Sequence, residues 1–479
     1  MNRTDSLGTS PIRVLLMNYS VPAVIAMLVN AIYNVVDRMF IGKLTGENAL
    51  AGLTITFPIM MIIFAFSGLI AAGGASLVSI RLGERDTRGA GHVFGNTITY
   101  GIIVTGLIIS IILVNLDGWL VIFGSQPDTH AYARDYLLII LSGFIFQMMS
   151  FIFSNFIRTE GKPYMSMFVM LFSAISNIVL DYILIARFNM GVQGAALGTI
   201  ISQFLGMLIY LRYYLRGKSS IRVKLRDFLP DLRLGLNILT IGFTTFVSTI
   251  GTSVAMTFFN RQLLSYGGTA GITSMGAINS LYTFFVMPII GITQGMQPII
   301  GYNHGAGNRK RVYAALKLAL LIGTVFSTVV FLTLMLFAES FVKIFLEDGS
   351  STIPMAAHGL RVFIIMLPVL SINFMGTAFF QSIARGKISA VLGSLRQFII
   401  LLPLLLTMPN FWGLNGVWAA APVADGLAVL LTGAAVFIYY RSERSCGWPA
   451  WSDDNSREHC LKQAELPNPI QPEIEIDVV

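Results

Sequence analysis

Runs of about twenty apolar residues, separated by short polar and basic segments, repeat along this chain. A run of that length matches a bilayer core of about 30 Å at a helical rise of about 1.5 Å per residue. Twelve are read, at 14–37, 52–79, 93–116, 136–157, 164–186, 192–214, 236–260, 275–300, 312–337, 360–383, 389–408 and 414–439. A transmembrane barrel would instead alternate apolar and polar residues. The pattern predicts an all-α membrane protein of twelve transmembrane helices.

The informative positions are the polar ones inside these runs. Asp37 lies in VPAVIAMLVNAIYNVVDRMFIG and Asp181 in MFVMLFSAISNIVLDYILIA. A charge at the centre of a membrane helix costs about 2.5–3.5 kcal/mol on insertion scales. Asn30, Tyr33, Asn34 and Asp37 follow helical spacing and share one face of the first span; Ser173, Asn177 and Asp181 share one face of the fifth. Thr199 sits near the start of the sixth, in GAALGT. Polar faces in a bilayer must turn toward protein or a wet cavity, so these faces are expected to meet. Carboxylates, amides and hydroxyls form an all-oxygen set, suited to Na⁺ or to a carboxyl that takes up a proton. Asp37, Asn177, Asp181 and Thr199 are the ion-coupling candidates and the Na⁺ site if the ion is Na⁺; Asn30, Tyr33, Asn34 and Ser173 are candidates for the surrounding cavity. The competing reading is that the amides and hydroxyls merely satisfy one another between helices.

Other intramembrane features take different readings. Arg396 and Asp425, in the eleventh and twelfth spans, are expected to form a structural ion pair. Pro22 interrupts the first span and is the hinge candidate; Pro288, Pro298, Pro368, Pro403 and Pro422 are read as static kinks. A subset of the 22 Met and 34 Phe residues could line an adaptable cavity.

Composition agrees: 55% of residues are hydrophobic and 12% charged, against about 25% charged in a soluble chain. Cys446 and Cys460 lie in the polar tail and imply neither a disulfide framework nor a metal site. NHGAGNRK carries no phosphate-loop lysine pattern, and no nucleophile–base set is apparent, so neither an enzyme nor a cofactor is expected. The formal charge of +8 reflects topology rather than nucleic-acid binding: loops on one side carry 23 Lys and Arg, with Arg158 and Lys162 among them, and loops on the other carry 7. The basic side is the cytoplasmic one, which puts both termini inside. The N-terminal segment is read as retained, not as a cleaved signal.

The chain is also an internal repeat. GERD at 83 resembles GAGN at 305, and GVQG at 191 resembles GLNG at 413, both at an offset of 222; Gly161-Lys162 resembles Gly386-Lys387 at 225. Two parallel six-span halves follow. The expected organisation is a cytoplasmic N-terminus (1–13), an N-lobe (14–214), a basic linker (215–235), a C-lobe (236–440) and a disordered cytoplasmic tail (441–479) around a central cavity. At the 222 offset Asp37 falls on Phe259, beside Asn260, and Asp181 on Pro403, so the acid cluster belongs to one half only.

NAIYNVVDRMFIGKLTG, RTEGKP, SNIVLDYILI with GVQGAALGT, and QGMQPIIGYNHGAGN together resemble the multidrug and toxic compound extrusion (MATE) family over roughly 10–440. The resemblance implies export of amphipathic, often cationic, drugs and dyes against Na⁺ or H⁺, by rocking of two six-helix lobes. It implies that Asp37, Asn177, Asp181 and Thr199 match the ion site, Asn30 and Tyr33 the positions beside it, and Pro22 the bending proline. A second branch places acids in spans seven and ten; here Asn260 and Gln381 stand in those regions, which resembles the MepA- and DinF-like branch instead. The expected setting is a bacterial inner membrane, with a monomer in the bilayer. A lipid-linked oligosaccharide flippase and an exporter of one metabolite are the alternatives.

Overall fold

A computed structural model describes residues 5–45, 47–217, 219–346 and 352–445. The helices are α1 (Asp5–Thr9), α2 (Ile12–Thr45), α3 (Glu47–Gly83), α4 (Thr87–Val114), α5 (Leu116–Ile122), α6 (Pro127–Thr159), α7 (Pro163–Asp181), α8 (Gly191–Leu215), α9 (Leu232–Gly305), α10 (Arg309–Leu336), α11 (Ala338–Val342), α12 (Thr352–Phe363), α13 (Leu370–Ser382), α14 (Gly386–Ser394) and α15 (Leu402–Ser445). Among the described residues, ten helical stretches are long and apolar enough to cross a membrane. Two of them are double spans. Gly268 (φ 59°, ψ −155°) breaks α9 and Gly413 (φ 54°, ψ −133°) breaks α15, conformations that glycine alone adopts without strain. Twelve spans result, in two lobes. Pro22, Pro288, Pro298 and Pro422 stay inside continuous helices. The tenth span does break: α12 ends at Phe363, and a 3₁₀ turn, Leu367–Val369, carries Pro368 before α13 resumes.

The backbone repeats with the sequence. Gly191 and Gly413 share φ near 55° and 54°, and Arg85 and Gly307 share 63° and 70°. Asp86 caps α4 by accepting from the Gly89 N–H, and Asn308 caps α10 by accepting from the Arg311 N–H. The 225 offset is corrected. The left-handed residue closing α6 is Gly161, and its counterpart closing α13 is Ala384, at 223. The shared Gly-Lys letters do not mark the shared turn, because the backbone bend is set by the second residue past each helix end.

The lobes meet at the end that carries the basic loops. A Cβ on Gly83 would collide with the Tyr302 carbonyl, and one on Gly305 with the Ile80 carbonyl, a reciprocal crossing of α3 and the second span of α9. Such close backbone approach is how helices associate where lipid is as apolar as the side chains. Farther in, the first span of α9 packs on α3 at Gly242 and Gly73, and its second span packs on α2, with Gly295 against Ser20 and Gly291 against Val24. Pro22 therefore lies between two of the points where α2 touches the opposite lobe, with Met27, which meets Gln294, farther along.

Two short segments strap the lobes together at the same end. Arg311 of α10 donates to the carbonyls of Leu7 (3.0 Å) and Ser10 (2.6 Å), just ahead of α2. Reciprocally, the linker ahead of α9 docks on α4: Asn96 donates to the Asp227 carbonyl (3.0 Å) and accepts from the Asp231 N–H (2.8 Å), and Thr99 donates to the Phe228 carbonyl (2.8 Å). A hydrogen bond from the Leu234 N–H, aided by His92, holds the Asp231 carboxyl below its usual range. The 215–235 segment is thus seated on the N-lobe rather than a loose hinge. At the far end α15 runs on to Ser445, past the point where a disordered tail was expected. Glu443 anchors that last turn by accepting from the Tyr313 hydroxyl (2.8 Å) and pairing with Arg309 (3.9 Å). Residues 446–479 lie outside the described residues.

Valine at Gly83 or Gly305 is expected to pry the basic ends apart. Spin labels at Arg88 and Lys310 should move several ångströms farther apart in either variant, and an unchanged separation would contradict this packing.

Candidate functional site

The face of α7 that carries Ser173, Asn177 and Asp181 is buried; Asp181 is 0% exposed and Asn177 2%. The Asn177 amide donates to Asp181 Oδ1 (3.3 Å) and to Thr199 Oγ1 of α8 (3.4 Å). From α2, the Asp37 carboxyl comes within hydrogen-bonding reach of Asp181. Asp37, Asn177, Asp181 and Thr199, drawn from three helices, thus stand together. Two carboxyl groups that close cannot both stay charged without a proton or a metal cation between them. Asn177 Oδ1 and Asp181 Oδ2 are buried and have no hydrogen-bond donor among the described residues. The arrangement presents unsatisfied oxygen acceptors to a cation, a donor set that fits Na⁺ or H⁺ and not a soft transition metal. No ion pair to Asp181 occurs among the described residues.

Local structure makes room for this cluster. A Cβ on Gly198 would collide with Asp181 Oδ1, so α8 can approach only because glycine stands there. Directly after Asp181 the helix widens into a π-helical stretch, Tyr182–Arg187, a distortion that recurs at functional positions. Asn30 and Tyr33 are half-buried on α2, on the Asp37 side of Pro22. The Asn34 side chain lies outside the described residues. Ser173 packs against Gly206 of α8, two helical turns from Asp181, and so does not join the carboxyl pair.

In the other lobe the Arg396 Nε donates to Asp425 Oδ1 at 2.6 Å, with side chains 18% and 8% exposed. Arg396 also starts a π-helical stretch, Leu395–Leu401, and lies over the Phe374 ring. Gln381, where the other branch places an acid, is buried and donates to the Ile241 carbonyl and to Thr245 (both 3.1 Å). Asn260 is exposed.

Three residues at these sites escaped sequence reasoning. Gly198 had a signal in the small-residue run GAALG, which marks close helix approach. The π-helical stretches have none, because no residue type specifies them. Arg158 was assigned to a loop because the apolar run stops one residue earlier. The structure places it in the last turn of α6, 7% exposed and turned into the space between the lobes. Beyond that turn Glu160 is buried too, accepting from the Tyr213 hydroxyl and the Ser220 N–H (both 2.9 Å); burial pushes its carboxyl up from the usual range.

Comparison with known proteins agrees with this architecture. The MatE family profile matches residues 22–183 and 241–406. A protein named multidrug export protein MepA from Staphylococcus aureus is 30% identical over 433 residues, covering 90% of this chain and 94% of its own. Its namesake from Staphylococcus saprophyticus is 28% identical, covering 89% and 93%. A solved structure of MATE in complex with MaL6 superposes with a TM-score of 0.85 at 25% identity, covering 92% of this chain and 98% of that one. The outward-facing structure of a multidrug resistance MATE family transporter shares the fold with a TM-score of 0.86 at 24% identity, covering 93% and 98%.

Removing one partner of a buried ion pair costs about 3–5 kcal/mol, because the other charge is stranded. Arg396→Gln alone is expected to lower the melting temperature in detergent markedly. Arg396→Gln with Asp425→Asn should recover most of the loss, and a double variant as unstable as the single would show that the pair is not coupled.

Proposed function

The chain belongs to the MatE family, and from that premise we propose that it is a secondary active multidrug efflux transporter, exporting amphipathic and cationic drugs and dyes by antiport with Na⁺ or H⁺. The observation that carries the reading is the contact between the Asp37 and Asp181 carboxyls, beside the buried acceptors of Asn177 and Asp181 that have no donor among the described residues. Membership in a family of transporters makes this a transport protein rather than an enzyme. The relatives named for multidrug export support the class of cargo. The basic loops support a plasma-membrane protein with both termini in the cytoplasm, acting as a monomer with the coupling ion as its only auxiliary.

In the proposed cycle Asp37, Asn177, Asp181 and Thr199 hold the ion, which lowers the negative charge of the carboxyl pair. The outer part of α2, which carries Asp37, then repacks against α7 and shifts where Val24 meets Gly291, while its basic end stays clamped to α9 through Ser20. Pro22, between these regions, lacks the N–H that would stiffen the helix there. Bending at that point shrinks the N-lobe side of the cleft and expels cargo outward. Loss of the ion to the cytoplasm restores the straight helix. The ion shifts the two states only by its difference in affinity between them.

The test is dye accumulation in energised inverted membrane vesicles, which is the equivalent of cellular efflux, with Na⁺ and pH gradients imposed separately. One gradient should drive efflux in the parent protein. Asp37→Asn and Asp181→Asn should each abolish gradient-driven efflux, while Asp425→Asn with Arg396→Gln should leave most of it intact. Full efflux in both aspartate variants would remove the proposed ion site.

A further inference from the structure

We propose that the cytoplasmic floor of the cleft is a second binding site, a subsite for the carboxylate of an amphipathic zwitterionic cargo, with Arg158 as its anchor. The proposal rests on the transport reading above and adds a class of cargo to it.

Arg158 is buried between the lobes, yet its hydrogen-bond partners among the described residues are both neutral. It donates to Gln294 Oε1 of α9 (2.8 Å) and to Asn155 Oδ1 of α6 (2.8 Å). No carboxylate among the described residues pairs with it. A buried charge without a counter-charge is strongly unfavourable, and amide oxygens compensate it only in part. A guanidinium has five N–H donors in a fixed fork, matched to the two oxygens of a carboxylate. The amides of Asn155 and Gln294 fix the orientation of that fork. Arg158 lines a pocket with Ser76 and Ser79 of α3 and Gln297 of α9, whose own donors are held by the Ala72 carbonyl, the Pro298 carbonyl and Gln381, so the guanidinium is the group left to meet an anion. Ala72 and Ala75 supply an apolar wall, and no acidic residue lines it. Residues of both lobes form this pocket, so opening the cytoplasmic side would expose it to cargo arriving from that side.

The pocket is separate from the acid cluster. Arg158 is at the basic end of α6, whereas Asp181 is eighteen residues along α7 from that end, about 27 Å at the helical rise. An anionic group held at the floor therefore does not compete with the ion for its ligands. A role as a mere latch between lobes would require only the bond to Gln294. It leaves the guanidinium's charge without a counter-charge among the described residues, and its remaining N–H donors beyond the bonds to Gln294 and Asn155 without a use.

The test compares an aromatic amphipathic zwitterion with its methyl ester, using protein in proteoliposomes for transport and in nanodiscs for binding. The unaltered protein should bind the acid about tenfold more tightly than the ester. Arg158→Gln should raise the KM for the acid about tenfold and change that for the ester less than about twofold, with Arg158→Lys in between. Ser76→Asp, which supplies a fixed carboxylate to Arg158, should likewise weaken the acid alone, and it reads the site even if Arg158→Gln fails to fold. Equal loss of acid and ester transport in these variants would make Arg158 a latch only, and equal affinity of the unaltered protein for acid and ester would remove the subsite. Absence of gradient-driven efflux of both compounds by the unaltered protein would instead overturn the transport reading.

Discussion

Two carboxyl groups kept in contact inside a hydrocarbon layer must be discharged by something other than bulk water. Around Asp37 and Asp181 the structure is arranged to keep that requirement open. Asn177 spends its amide on Asp181 and Thr199, and its own oxygen has no donor among the described residues. Gly198 lets α8 come close enough to confine the acid. The contrast with the other lobe is instructive. There Asp425 meets Arg396 directly at 2.6 Å, and the charge is settled within the protein. Asp425 has a fixed counter-charge, and no ion pair to Asp181 occurs among the described residues, which is why the mobile cation is proposed for that site.

The lobes are joined in a way that suits alternate opening. Two of their close crossings, Gly83 with Tyr302 and Gly305 with Ile80, lie at the basic end and follow the internal repeat. The straps ahead of α2 and α9 each grip the opposite lobe at that end. Helix α2 joins both parts of the design: it is pressed against α9 below Asp37 and carries Asp37 toward α7. These contacts are backbone approaches and hydrogen bonds to carbonyls, which depend on position rather than on bulk apolar area. Interfaces of that kind switch between discrete packings instead of deforming gradually.

Much of this was legible in the residues. The apolar runs specified membrane helices because hydrocarbon tolerates little else, and a six-span repeat forces two parallel halves. The helical spacing of Asn30, Tyr33 and Asp37, and of Ser173, Asn177 and Asp181, put each set on one face. The 222 offset showed that the second half lacks matching acids, and the structure repeats the turns at that offset while leaving Phe259 and Pro403 in the acids' places.

The amino-acid order alone thus determined the number of spans, the pairing of halves and the identity of the expensive polar groups, because each follows from periodicity or from the cost of burying charge. Only tertiary structure decided which groups meet. Ser173 shares a face with Asp181 yet turns to Gly206, since neighbouring helices and not helical phase choose the partner. Arg158 reads as a loop residue at the end of an apolar run and becomes a buried charge, since α9 of the other lobe closes over it. Contacts between residues more than a hundred positions apart depend on how two lobes sit together, and no local pattern carries that information.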